Sequence, residues 1–383
     1  MTTVYLDHSA TTPVRPEVLD AMLPFLRDAY GNAGSIHAFG RAARRAVDDA
    51  RDQVAALLHA DPREIVLTSG GTESNNLAIR GAVAAVAPGR RRIVVSAVEH
   101  HAVLHAAEYV RANDGVELVV VGVDSMGRVD SDEIAAAVDD ATVLVSVMHG
   151  NNETGTIQPV EAIARRCAER GVPFHCDAVQ SVGKVPIDVD AWPVSMLSIS
   201  GHKLGAPKGV GALYIRNGVS IAAQAVGGGQ ERGRRAGTEN VAGIVALGKA
   251  CEMARTEMGE ASARMAQLRD VLERGILNCI PQAQVNGSQS HRLPHILNVG
   301  FPGADGESLV LAFDSLGIAV SSGSACTAGS LDPSHVLLAM GLSYGRAQSA
   351  VRFSLGTTTT PAEIESVVAR TPDVVRRCSA RSH

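Results

Sequence analysis

The six cysteines of this 383-residue chain include no C-x-x-C pair and no Cys/His spacing of a zinc site. This sets aside structural zinc and thioredoxin-like redox chemistry and suits a reducing compartment. Positive charge is not in excess either: 35 basic against 40 acidic residues leave a formal net charge of −5, which offers no general attraction to nucleic acid or to an anionic membrane. No apolar run approaches the roughly 18 residues that would cross a bilayer, and the opening MTTVYLDHSATTPV has neither the basic start nor the apolar core of a secretory leader. A cytoplasmic location is therefore expected, with no direct nucleic-acid or membrane partner. Internal repeats are absent, and only residues 321–330 are compositionally simple. What remains is 45% hydrophobic and 20% charged, the balance of an ordinary globular chain.

Apolar segments near 65–68, 93–96, 117–121, 143–148, 172–176, 195–200 and 211–215 alternate with helical stretches. That alternation predicts an α/β fold with a mostly parallel sheet covered by helices on both faces. After a polar helix at about 252–278, strands near 295–300, 317–322 and 350–355 read as a smaller α+β unit joined by the N-terminal segment. Single cores stop growing at about 250–300 residues. Two domains are accordingly expected: residues 15–255, and residues 1–14 together with 256–383.

Three constellations carry chemistry. Cys326 sits in SSGSACTAGS, a run of small residues between a strand at 318–320 and Asp332-Pro333, read as an N-cap and first helical position; this is a soft arm bearing one thiol. A strand at 172–176 leads into Asp177 and Gln180, and a second strand ends in Ser200-Gly201-His202-Lys203. Both clusters fall beyond the carboxyl ends of strands, where open α/β sheets bind ligands. An amine to form an imine, a carboxylate to hold a pyridinium nitrogen protonated and hydroxyls for a phosphate are the requirements of pyridoxal 5'-phosphate. The third piece, a strand at 65–67, a turn at Ser69-Gly70-Gly71 and a helix opening with Thr72 as N-cap, forms an anion site. Its glycines match neither G-x-G-x-x-G nor G-x-x-x-x-G-K-[ST], which argues against a dinucleotide or a nucleoside triphosphate.

The residues alone leave second readings open. Lys203 read singly is a surface lysine and Asp177 a turn residue. His100 in the pair His100-His101 could serve only as a helix cap, Asn152 could be a left-handed turn residue, and Arg352, facing opposite Val351 and Phe353, could pair with a structural carboxylate.

Nearly end to end, the chain resembles the NifS/IscS-type cysteine desulfurases. The resemblance is carried by YLDHSATTP (5–13), SGGTESNNLA (69–78), VEHHAV (98–103), HGNNETG (149–155), HCDAVQSVGK (175–184), SGHKLGAPKGVGALY (200–214), GGGQERGRRAGTEN (227–240), SSGSACTAGSLDPSHVL (321–337) and VRFSLG (351–356). The long segment around Cys326 is similar to the NifS/IscS group and not to the SufS group. The resemblance implies the fold type I architecture of pyridoxal-phosphate transferases and a homodimer. It implies that Lys203 binds the cofactor as a Schiff base and shuttles the substrate's α-proton, that Asp177 pairs with the ring nitrogen, and that Gln180 and Asn152 lie near the cofactor hydroxyl and the substrate. His100 would stack on the ring and move protons. Gly71, through the amide that follows it, together with Thr72, Ser200 and His202 would hold the phosphate, Thr238 would reach it from the other subunit, and Arg352 would clamp the substrate carboxylate.

The implied reaction converts L-cysteine to L-alanine and leaves the sulfur as a persulfide on Cys326, from which a small-residue arm delivers it to an acceptor protein. That acceptor would be an iron–sulfur scaffold, a thiolation relay protein or a DNA sulfur-modification complex. A different pyridoxal-phosphate lyase or aminotransferase, such as a selenocysteine lyase, is the alternative. The short polar end VVRRCSARSH differs from the longer tail of many IscS-like members and puts scaffold docking through such a tail in doubt. Among the other thiols, Cys176 is expected in a buried strand, Cys167 in a helix, and Cys378 as the one other exposed thiol. Arg41–Arg51 reads as an exposed amphipathic helix without a site role, and no metal ligands are expected.

Overall fold

In the computed structural model, which describes residues 3–86, 91–322 and 332–379, a seven-stranded sheet runs in the order Ile65–Thr68, Gly211–Ile215, Met196–Ser200, Phe174–Asp177, Thr142–Ser146, Arg92–Ser96 and Glu117–Val121. The central strands, MLSIS, FHCD and TVLVS, are buried along their whole length, as strands covered on both faces must be. One face packs on Ala38–Leu58, Val160–Glu169 and the first turns of Val241–Cys279. The other packs on Gly71–Ala85 and His101–Asp114. Gly211–Ile215 runs antiparallel to both neighbours, and the remaining strands are parallel. Thr68, Ser96, Ser146, Asp177 and Ser200 therefore end their strands on one rim, which is where the site forms.

A second sheet, antiparallel throughout, has the order Gln284–Asn286, Ile296–Gly300, Ala350–Ser354 and Ser321–Ser322. The strand expected at 317–322 divides: Ile318–Ala319 pairs in parallel with Val4–Tyr5, while Ser321–Ser322 joins the sheet. A separate apolar core that includes Val4, Leu6, Leu272, Leu297, Phe313 and Phe353 lies under it. One helix, Val241–Cys279, serves both cores: Leu247 and Cys251 are buried in the first, Leu272 and Ile276 in the second. It starts well before the expected 252 because Asn240 caps it by accepting from the Gly243 amide at 3.1 Å.

Several local expectations are corrected. Gly70, not Thr72, is the N-cap of Gly71–Ala85; its φ of 148° suits only glycine, and a Cβ on Gly71 would come within 2.8 Å of Val179. Ser334, not Asp332, caps the next helix, His335–Ala339. Asn152 has no left-handed backbone. Cys176 lies in a buried strand and Cys167 in the helix Val160–Glu169, as expected, but among the described residues it is Cys279 that is exposed, while Cys378 is half-buried.

The helix Ala38–Leu58 is not simply exposed. Arg51 is buried and forms two 2.8 Å bonds to Glu231, whose carboxylate also accepts from the Leu67 amide at 2.9 Å. This pair ties the glycine-rich segment after residue 227 to the strand that leads into Gly70. Arg51→Ala strands a buried carboxylate and is expected to cost about 3–5 kcal/mol, seen as a lower urea midpoint at unchanged slope.

Candidate active site

Lys203 closes the short turn Gly201–Lys203 that follows strand Met196–Ser200. Its Nζ donates to the carbonyls of Ser9 and Ala10, the latter at 2.7 Å. The N-terminal segment is thereby drawn over the rim: Gln180 Nε2 also donates to Ser9 O at 3.0 Å, and Thr11 Oγ1 lies 3.1 Å from His202 Nδ1. Asp177, at the end of its strand, accepts from Asn75 Nδ2 at 2.7 Å and from the Val179 amide at 3.0 Å. It is an oriented carboxylate on the cavity floor.

Lys203, Asp177, Gln180, His100, Asn152 and Arg352 line one cavity of about 310 Å³, and Gly71, Thr72, Ser200 and His202 line it with them. Thr238 is exposed and takes no part in its wall, and Cys326 lies outside the described residues. An adjoining cavity of about 620 Å³ shares Lys203 and Gln180 but touches neither Asp177, His100 nor Arg352. The smaller cavity is the one that gathers the site residues named from the sequence.

Arg352 is 2% exposed. It bonds Asp7 Oδ1 at 2.8 Å and Asn152 O at 2.9 Å, so a carboxylate partner is present, while its Nε has none. His100 caps helix His101–Asp114: its Nδ1 accepts from the Ala102 amide at 3.0 Å, which places the ring proton of the neutral form on Nε2. Burial, outweighing the attraction of Asp177, lowers its pKa and keeps it neutral. Burial and then the Lys203 charge bring His202 down to about 4. Behind His100, burial raises Glu99 to about 8; its Oε1 accepts from Ser96 Oγ at 2.5 Å and from the Met148 amide at 2.8 Å. The Glu99 carboxyl thus joins the strand end to the segment leading to Asn152.

The dimensions and donor set fit pyridoxal phosphate. The cavity is at the small end of ligand sites. An anionic floor faces an amine, and the helix start at Gly71 with Thr72, Ser200 and His202 offers donors for a phosphate. Ser9 Oγ, Asn75 Oδ1 and Arg352 Nε, all in lining residues, are buried without a hydrogen-bond partner. Ser9, Ala10, Asn75, Ala102, Met148 and Val179 were not foreseen as wall residues. All but Met148 sit inside the quoted motifs YLDHSATTP, SGGTESNNLA, VEHHAV and HCDAVQSVGK.

The chain belongs to the class-V aminotransferase family, which it matches over residues 4–367; members of that family are pyridoxal-phosphate enzymes. It is 49% identical over 382 residues to the cysteine desulfurase of Nostoc sp., covering 100% of this chain and 95% of that one. It is 46% identical over 361 residues to the cysteine desulfurase IscS of Dictyoglomus turgidum, covering 94% and 91%. A solved NifS-like protein superposes with a TM-score of 0.92 at 38% identity, covering 98% of this chain and 100% of that one. Within the family, the chain is a NifS/IscS-type cysteine desulfurase.

Among the described residues, no helix is long and apolar enough to cross a membrane.

Proposed function

We propose that this chain converts L-cysteine to L-alanine in the cytoplasm, takes the sulfur onto Cys326 as a persulfide, and passes it to an acceptor protein such as an iron–sulfur scaffold. The observation that carries the reading is the convergence of Lys203, Asp177, His100 and Arg352 on one cavity. Bound there, pyridoxal phosphate supplies an electron sink conjugated to the substrate's α-carbon.

The protein's own groups do the rest. Lys203 leaves the Ser9 and Ala10 carbonyls to hold the cofactor, then carries a proton to and from the substrate's α-carbon. Asp177, fixed by Asn75, keeps the ring nitrogen protonated, and Gln180 and Asn152 orient the ring hydroxyl and the substrate. Gly71, Thr72, Ser200 and His202 hold the phosphate, with Thr238 supplied by the partner subunit of a homodimer. Arg352, already braced by Asp7, directs its guanidinium to the substrate carboxylate. Neutral His100 covers the ring face and passes a proton through Nε2. At the end of the cycle Cys326 has gained one sulfur, its new S–S bond replacing the substrate's C–S bond, and cysteine minus sulfur leaves as alanine. Residues 15–255 form the cofactor-binding domain in this reading, and 1–14 with 256–383 form the second.

Brief exposure of the loaded protein to cysteine, followed by peptide mass spectrometry, is expected to show one added sulfur on the peptide containing residue 326. Alanine should form in equal amount. A keto acid in place of alanine, with no added sulfur, refutes the reading.

A further inference from the structure

The helix His335–Ala339 begins just after the segment that carries Cys326, and two side chains at its start fasten it to neighbours of residues that line the cofactor cavity. Ser334 Oγ donates to Glu153 Oε2 and accepts from the Leu337 amide at 3.2 Å. His335 Nε2 donates to Glu99 O at 3.0 Å. Glu153 is the neighbour of Asn152, and Glu99 is the neighbour of His100. Both anchors are thus one peptide bond from a residue of the site.

The fastening is built as a core feature. Ser334 is 2% and Glu153 4% exposed. The Glu153 backbone is fixed on both sides, its amide donating to Asn151 Oδ1 at 2.9 Å and its carbonyl accepting from Asn298 Nδ2 at 3.2 Å. Val336, Leu337 and Met340 pack with Val98 beneath the helix. Burial pushes the Glu153 carboxyl up to about 7 against the Ser334 bond and the Arg352 charge. Neither Ser334 nor Glu153 lines the cofactor cavity, so direct contact with the cofactor does not explain their hydrogen bond.

Its consequence lies in the chain. Residue 326 is eight positions before Ser334, a tether of at most roughly 26–29 Å. With the other root held at Ser322 in the sheet, four positions before Cys326, the place of this one bears on how often the thiol meets the cavity, as linker geometry sets an effective concentration. We propose that Ser334 and Glu153 are positioning residues for sulfur transfer: their hydrogen bond fixes the root from which Cys326 is presented to the cavity. They act neither in cofactor binding nor in proton transfer at Lys203. This role rests on the function proposed above.

The test compares Ser334→Ala, Ser334→Thr, Glu153→Met and the double variant Ser334→Ala/Glu153→Met in the loaded enzyme. Three quantities are read: hydrogen exchange of the 336–338 amides without substrate, exchange of the α-proton of alanine with deuterated water, and the single-turnover rate at which sulfur arrives on Cys326. Alanine exchange reports Lys203 chemistry and needs no thiol. In Ser334→Ala and Glu153→Met, amide exchange is expected to rise and sulfur arrival to slow about tenfold, the loss of one buried hydrogen bond. Alanine exchange should be unchanged, Ser334→Thr should restore the wild-type rate, and the double variant should be no slower than either single one.

Unchanged amide exchange, unchanged sulfur arrival, an equal slowing of both reactions or additive effects in the double variant would overturn the role. Wild-type enzyme that exchanges the alanine α-proton yet never gains sulfur at Cys326 refutes the parent function, and this role with it. The alanine arm keeps that outcome distinct from a failure of positioning alone.

Discussion

Replacing Lys203 by alanine is expected to remove the visible absorption of the cofactor imine and to lower alanine production from cysteine by at least about a thousandfold. Two roles end in one substitution: covalent attachment of the cofactor, and proton transfer at the α-carbon. The fold should survive. Lys203 donates to the Ser9 and Ala10 carbonyls at the rim, and both belong to a segment that Gln180 and the backbone of the second sheet hold independently, through Ser9 O and through the 3.1 Å bond from the His8 amide to Ser354 O. Absorption spectra before and after adding pyridoxal phosphate, with a thermal melt as control, make the measurement. An unaltered imine band in the variant would remove Lys203 from its assigned role.

Cys326→Ser is expected to separate the two halves of the reaction. The imine band and its response to cysteine persist, because every described wall of the cavity is intact, while release of alanine and uptake of sulfur fall below detection. A hydroxyl cannot stand in, since the reaction needs a sulfur nucleophile of far lower pKa than an alcohol. The other cysteines offer no substitute. Burial pushes the Cys176 thiol well up and raises those of Cys167 and Cys251 to about 12, and Cys279 and Cys378 lie at the ends of helices Val241–Cys279 and Pro361–Ser379, away from the lining. Undiminished alanine release from the variant in the presence of a thiol reductant would remove Cys326 as the acceptor of the sulfur.

The strands of the large sheet were legible because runs such as Thr142–Ser146 are β-branched, short and bounded by turn residues. The direction of Gly211–Ile215 was not, since its alternation is the same in either sense and only pairing with Ile65–Thr68 and Met196–Ser200 decides it. Gln284–Asn286 was missed because three residues carry too little periodicity to read. In the site, the polar ends of strands pointed to Asp177, Ser200 and Lys203 directly. Ser9 and Ala10 did not announce themselves, because they act through backbone carbonyls that any side chain could accompany. The Arg51–Glu231 pair was hidden for a different reason: its members are 180 residues apart, and a buried arginine on an amphipathic helix has the same local pattern as a solvated one.

The helix Val241–Cys279 has a mechanical consequence. At about 1.5 Å per residue its 39 residues make a rod of roughly 58 Å, gripped near one end by the apolar layer under the parallel sheet and near the other by the layer under the antiparallel one. A beam clamped at both ends resists the jaw-like swing that many two-lobed enzymes use to admit their reactants. Ligand entry is then expected to need little change in the spacing of the two apolar layers that the helix joins.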